Sequence, residues 1–244
     1  MADFAQSTQI VFFVDLLGSS AIVQSNQPDK VAALTKMLDG VKSVDRNFSV
    51  TEASMGERNL SYAMPAISTF SDHLVLSFDI AEMAPYIDAP YREACWFART
   101  LIGAFAYEAL GLGMLIRGGA TVNSLYHKNG VVVGPGLIDA YDLERLAAKY
   151  PRIVVSRKLY QASEGPFDEI LTDDDGIKHF NYISEMIDRP GWRKQEKIDW
   201  IDAACSVASK NISAFEGEEK WNEMSKWVWF EKNLAMHRAE LILE

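Results

Sequence analysis

Apolar runs and helical periodicities succeed one another along the first half of the chain in an order that few folds accept. Residues 10–14 (IVFFV) form an unbroken apolar run that ends in Asp15 and passes through Leu16 and Leu17 to Gly18. Rich in β-branched and aromatic side chains, such a run reads as a buried strand, and the glycine marks the turn out of it. Val31, Leu34, Leu38 and Val41 then recur at three- and four-residue steps, the spacing of one helix face. After a polar, irregular stretch over 47–65, residues 66–70 and 74–78 flank the polar Ser71-Asp72-His73 and read as a hairpin with an acid at its tip. Residues 85–108 are mostly helical in pattern, and 115–122 form a strand in which Gly118 and Gly119 imply a close backbone approach. Strand, helix, strand, strand, helix, strand is the ferredoxin-like βαββαβ order, so an α+β fold is expected.

The rest of the chain adds to this core. Residues 130–136 (GVVVGPG) predict a short strand entering a glycine-rich turn, followed by a helix through Ala148. Residues 153–155 predict another short strand, and 178–183 a segment that pairs with a partner the pattern does not identify. Five of the six tryptophans fall in the last 53 residues, where Ile198, Ile201 and Val207, then Trp221, Met224, Val228 and Leu234, predict two amphipathic helices. These helices are expected to pack on the core or on a partner chain. Asp173-Asp174-Asp175-Gly176 lacks the ligand spacing and closing Glu of a calcium loop and reads as a tight acidic turn.

Charge and cysteine content narrow the function classes. With 24 basic and 34 acidic residues the formal charge is −10, which argues against a nucleic-acid backbone or an anionic membrane as partner and leaves a small anionic ligand open. The most apolar long window, 96–115, is interrupted by Arg99 and Glu108 and reads as a buried helix running into a strand, not as a membrane span. Cys95 and Cys205 can build neither a disulfide framework nor a four-cysteine zinc site, and residues 1–8 lack the basic-then-apolar order of a secretory signal. A cytoplasmic setting is the expectation.

Asp15 and Asp72 each close an apolar strand, where a lone carboxylate is costly to bury unless it is paired, hydrogen-bonded or bound to a cation. In a βαββαβ sheet the first strand and the following hairpin are neighbours, so the two acids are placed to meet. Beside a loop with backbone donors at Gly18, Ser19 and Ser20, such a pair suits a site for divalent cations and a triphosphate. The bland alternative is that Asp15 caps the turn at Gly18 while Asp72 is a turn residue chosen for its local hydrogen bond.

At these residues the chain resembles the catalytic domain of class III nucleotide cyclases. FVDLLGSS, with Asp15 closing the first strand, is similar to the family's first metal motif, and Thr69-Phe70-Ser71-Asp72 to its hairpin motif. Arg117-Gly118-Gly119-Ala120, followed by residues 133–144 (VGPGLIDAYDLE), resembles the strand, glycine turn and helix that come next. The resemblance covers roughly two-thirds of the chain, in motif order. It implies a catalytic domain over 1–190 with a C-terminal helical extension over 191–244.

The departures are informative. The places of the purine-reading residues hold Ser68 and Val131, and those of the transition-state Asn and Arg hold Ile138 and Asp142. A cyclase-like chain without purine readers resembles the bacterial pyrimidine cyclases (PycC) of Pycsar antiphage defence. That resemblance implies conversion of UTP to 3′,5′-cyclic UMP and diphosphate, with CTP to cyclic CMP, or a degenerate nucleotide-binding module, as alternatives.

It implies further that Asp15, Asp72 and the Leu16 carbonyl hold two divalent cations, Mn²⁺ or Mg²⁺, and that amides from Leu17, Gly18, Ser19 and Ser20 receive phosphate oxygens. Arg117 is expected to support the transition state or the base, or else to form a structural ion pair at a strand end. Tyr62 is expected to meet the base, or simply to pack; Lys178 to reach the triphosphate across an interface, or to be a solvated surface residue. His73, next to Asp72 on a tight turn, is expected to point elsewhere. One copy of each motif implies a homodimer with sites at the interface. A separate effector protein that responds to the cyclic nucleotide is expected as a partner, and neither nucleic acid nor membrane.

Overall fold

The computed structural model describes residues 5–25, 27–47, 64–165 and 168–243. The first half runs β1 (Ser7–Leu17), α1 (Ser19–Gln24), α2 (Pro28–Asn47), β2 (Ala66–Phe70), β3 (His73–Asp79), α3 (Ile80–Met83), α4 (Pro90–Gly111) and β4 (Leu115–Lys128). The second half runs β5 (Val131–Val133), α5 (Pro135–Ala147), β6 (Ile153–Val155), α6 (Arg157–Ala162), β7 (Ile170–Thr172), β8 (Lys178–Phe180), α7 (Ile183–Ile187), α8 (Lys194–Gly217) and α9 (Trp221–Leu243). The sheet order is β2-β3-β1-β4-β6-β8-β7, with β5 paired to β4 outside that path. Its first four strands are antiparallel neighbours in the ferredoxin-like order that the sequence predicts.

β1 is the centre of the structure because both of its faces are covered. Ile10, Phe12, Val14 and Leu16 join the main core with α4 residues such as Ala98, Ile102 and Phe105, whereas Val11 and Phe13 join a second cluster with Val75, Leu125 and Ala140 of α5. A strand buried on both faces is read as a continuous apolar run, not an alternating one. The helix α5 lies so close to β4 that a Cβ on Gly119 would stand 2.1 Å from the Ala140 carbonyl oxygen. That approach is the reason for one of the two adjacent glycines.

β4 runs six residues beyond the strand expected from the sequence, to Lys128. Its far end does not continue straight. His127 lies past the last β1 pairing, Ser7 with Leu125, yet its ring reaches Ser77 of β3 and Ser68 of β2. The distances are 2.8 Å from Nδ1 to the Ser77 Oγ and 2.9 Å from Nε2 to the Ser68 Oγ. The strand therefore bends over the sheet face, and a buried imidazole held by two hydroxyls secures the bend.

Burial pushes the His127 imidazole from its ordinary 6.5 down to about 4. Between those pH values the unfolded chain binds a proton that the folded chain refuses, so stability falls as pH drops from 6.5 toward 4 and is untouched by this group above 6.5. The loss is about 3 kcal/mol once pH 4 is reached. Buried His179, shifted in the same direction first by burial, adds to it. Urea unfolding at pH 7, 5.5 and 4.5 is expected to show this slope and a shallower one in His127→Gln; equal slopes would refute the assignment.

Both C-terminal helices pack back on this chain. Ile201, Ala204 and Ala208 of α8 and Trp227, Phe230 and Leu234 of α9 belong to the same apolar cluster as the sheet. The acidic stretch is indeed the turn between β7 and β8, with Gly176 at φ 78°. It encloses Arg152, a fully buried guanidinium that donates from Nη1 to Asp173 at 2.6 Å and bidentately to Asp175 at 3.0 and 2.6 Å. Trp229 of α9 donates to the same Asp173 oxygen at 2.7 Å. Segment 178–183 divides into β8, which bridges β6 and β7, and the start of α7. No described helix is long and apolar enough to cross a membrane.

Candidate functional site

Three polar side chains stand in one row across the middle of the sheet. Asp15, at the end of β1, pairs in register with His73 on β3 and with Arg117 on β4. Directly opposed residues of antiparallel strands share a face, so all three point to the side covered by α5. The β2–β3 turn is only two residues, Ser71 and Asp72, and Ser71 takes the left-handed φ of 55°. Its tip is drawn against β1, where the Leu16 N–H donates to the Asp72 carbonyl at 3.2 Å. This brings the second acid to the first.

The donor atoms are close. One oxygen each of Asp15 and Asp72 and one ring nitrogen of His73 lie within 4.8 Å of one another, the only such group of metal-binding side chains among the described residues. His73 Nε2 is 3.5 Å from Asp15 Oδ1, and its Nδ1 is 3.2 Å from Asp72 Oδ1. The Ser19 hydroxyl donates to Asp72 Oδ2 at 2.6 Å. Burial acts to raise the Asp72 pKa, but the hydrogen bonds from Ser19 and Ser71, a backbone amide and the nearby His73 outweigh it and hold the carboxyl below its ordinary value. The group is therefore an anion at neutral pH.

Arg117 has its Nε 3.1 Å from Asp15 Oδ2 and 2.7 Å from Glu144 Oε1 of α5. The guanidinium thus forms an ion pair at the strand end and holds Asp15. Burial pushes the Glu144 carboxyl up, with the Asp15 charge adding and Arg117 opposing. Counted formally, three carboxylates against one guanidinium leave −3 + 1 = −2 at the row. A site with that surplus and with hard oxygen donors fits a divalent cation.

The other expected residues are placed as follows. Leu16 is buried at the end of β1, and Leu17 pairs with Leu115. Gly18, at φ 102°, is the N-cap of α1, with Ser19 and Ser20 in the first turn beside the acids. The Ser19 hydroxyl gives its one hydrogen to Asp72, so toward a phosphate oxygen Ser19 has only its backbone N–H to donate. Tyr62 lies outside the described residues. Lys178 sits on β8, three strands from β1, with its Nζ 3.3 Å from the Thr172 hydroxyl and 4.5 Å from the centre of the Tyr160 ring. At roughly 4.8 Å per strand it does not reach Asp15 within one chain.

Two residues of the row went unread. The expectation that His73 points elsewhere is wrong, because the turn ends at Asp72 and His73 is already the first strand residue, in register with Asp15. The alternation His73, Val75, Ser77 against Leu74, Leu76, Phe78 carried that signal. Glu144 was visible as a residue of the glycine-turn helix, but its contact with Arg117 depends on how α5 lies across β4. Of the departures, Ser68 is buried against His127, Val131 and Ile138 are exposed, and Asp142 faces Arg145 at 3.4 Å.

No family model and no curated protein matches the chain. Among solved structures it is similar to a bacterial light-regulated adenylyl cyclase in two determinations. One has 13% sequence identity and a TM-score of 0.45, the other 12% and 0.43. Each match covers 82% of this chain, which spans 57% of the length of those chains.

Proposed function

We propose that the chain is a metal-dependent nucleotide cyclase that converts UTP to 3′,5′-cyclic UMP and diphosphate. The observation that carries this reading is the meeting of Asp15 and Asp72 at adjacent strand ends in a row of negative formal charge. In the reaction the ribose 3′-oxygen attacks the α-phosphorus, its proton leaves to solvent, and the bond to the diphosphate oxygen breaks. Two divalent cations, Mn²⁺ or Mg²⁺, would lower the pKa of the 3′-hydroxyl and neutralise phosphate charge. Asp15 and Asp72 would hold them, with the Leu16 carbonyl as a further donor. Arg117 and Glu144 fix the orientation of Asp15, and Ser19 that of Asp72. The amides of Leu17, Gly18, Ser19 and Ser20 are offered to the phosphates.

The choice of a pyrimidine rests on Ser68 and Val131, neither of which supplies the pair of base-reading groups expected for a purine. Exposed Phe70, Ile138 and Tyr141 around the row favour a second copy of the chain across it, and hence a homodimer. A role in antiphage signalling through a separate effector, in the cytoplasm, follows from the family resemblance alone. The alternatives are CTP as substrate, or nucleotide binding without turnover, which the apolar Ile138 at the helix position favours.

Incubation of the full chain with each of ATP, GTP, CTP and UTP in the presence of Mn²⁺ separates these. Cyclic UMP as main product is the expected result. Product only from ATP or GTP would overturn the pyrimidine assignment, and metal-dependent binding without any cyclic product would favour the binding module.

A further inference from the structure

We propose that His73 is a third protein ligand of the cation held by Asp15 and Asp72, and that its nitrogen makes the site select Mn²⁺ over Mg²⁺. The inference rests on the reading of this row as a metal site and goes beyond it in assigning a nitrogen ligand and a metal preference.

Four observations converge on the ring. In register with Asp15 and next in sequence to Asp72, His73 faces both acids. Its nitrogens stand 3.5 and 3.2 Å from a carboxylate oxygen of each. One imidazole binds a given ion through one nitrogen, because its two ring lone pairs diverge; a single ring nitrogen and one oxygen of each carboxylate lie within 4.8 Å of one another, close enough to gather around one ion after a small inward movement of the side chains.

The Nδ1 atom is also buried and makes no hydrogen bond, because its approach to Asp72 has the distance but not the geometry of one. A buried ring nitrogen that faces a carboxylate without a hydrogen bond to it is open to an ion shared with that carboxylate. Finally, the ring is held in place. Phe70 stacks on it at 5.4 Å between centres with planes 24° apart, and Phe13 lies at 4.9 Å. Rotamer freedom is already given up before any ion arrives, as in a site built on rigid elements.

Ligand chemistry then sets the preference. Magnesium favours an all-oxygen octahedron and keeps its waters, whereas imidazole suits the first-row transition ions. Two carboxylates leave the row negative enough for a dication, and the imidazole adds a donor that magnesium uses poorly. Nitrogen in place of a third oxygen therefore separates the two ions.

The test uses the full chain and the metal alone, without nucleotide. Pulsed electron paramagnetic resonance of the bound Mn²⁺ is expected to show ¹⁴N coupling that converts to ¹⁵N coupling when the protein carries [¹⁵N]histidine. His73→Gln is expected to abolish that coupling, to weaken Mn²⁺ binding about tenfold in calorimetric titration and to change Mg²⁺ binding less than about twofold. The labelled wild-type protein needs no substitution, so it decides the matter even where His73→Gln folds poorly. Bound Mn²⁺ without nitrogen coupling, lost on Asp15→Asn, would overturn the histidine assignment and leave the metal site standing. No Mn²⁺ binding by the wild-type chain would overturn the metal reading itself, and with it this inference.

Discussion

Asp15→Asn is expected to lower formation of cyclic nucleotide from UTP by at least about a thousandfold, equivalent to about 4 kcal/mol of transition-state stabilisation. The substitution keeps the shape and one acceptor oxygen but removes the charge on which cation binding depends. Asp72→Asn is expected to act alike, since its carboxylate faces the same point from the hairpin tip. Neither change should unfold the chain. Arg117 keeps Glu144 as a partner when Asp15 is neutral, and the Ser19 hydroxyl can still donate to the amide oxygen at position 72. The measurement is initial rate with saturating Mn²⁺, alongside thermal unfolding of each variant. Retention of more than about a tenth of the wild-type rate would remove these residues from the chemistry.

The second large effect lies in stability. Arg152→Met is expected to cost about 3–5 kcal/mol, because it removes a fully buried guanidinium and leaves the largely buried Asp173 carboxylate without its cation, while the exposed Asp175 turns to water. Those carboxylates are held below their ordinary pKa chiefly by hydrogen bonds: Asp175 first by Arg152 itself, and Asp173, against the opposing effect of burial, first by Trp229. Loss of the guanidinium loosens the β7–β8 turn and, through Trp229, the seat of α9. Adding Asp173→Asn to Arg152→Met should recover part of the loss by removing the stranded charge while keeping an acceptor oxygen for Trp229, so the two changes should be non-additive. Urea unfolding followed by tryptophan fluorescence reads both. A cost below about 1 kcal/mol would mean that the buried ion cluster is not the anchor described here.

The acid row and the Arg152 cluster are unequally legible in the sequence. The strand order, the hairpin and the two acids at strand ends could be read from the chain, since period-two and period-3.6 patterns, turn residues and glycine pairs are local signals. Gly118 and Gly119 announced a close approach, and α5 packed on Gly119 is that approach. The C-terminal helices were likewise visible from the spacing of their tryptophans and aliphatic residues.

What could not be read depends on register and on distant partners. Whether His73 belongs to the turn or to the strand changes which way its ring points, and only the pairing with Asp15 decides it. Arg117 is a lone cation in the sequence until α5 brings Glu144 to it. Arg152 has no local mark of burial; its charge is acceptable only because β6, the β7–β8 turn and α9 converge on one point from sequence separations of 21 to 56 residues. Lys178, expected to act across an interface, lies three strands from Asp15 in its own chain, a distance that only the sheet order gives. The sequence by itself thus determined the order of elements and the two carboxylates. The tertiary structure alone decided which charges meet, because ion pairing acts between groups that only the assembled sheet and helices bring within a few ångströms.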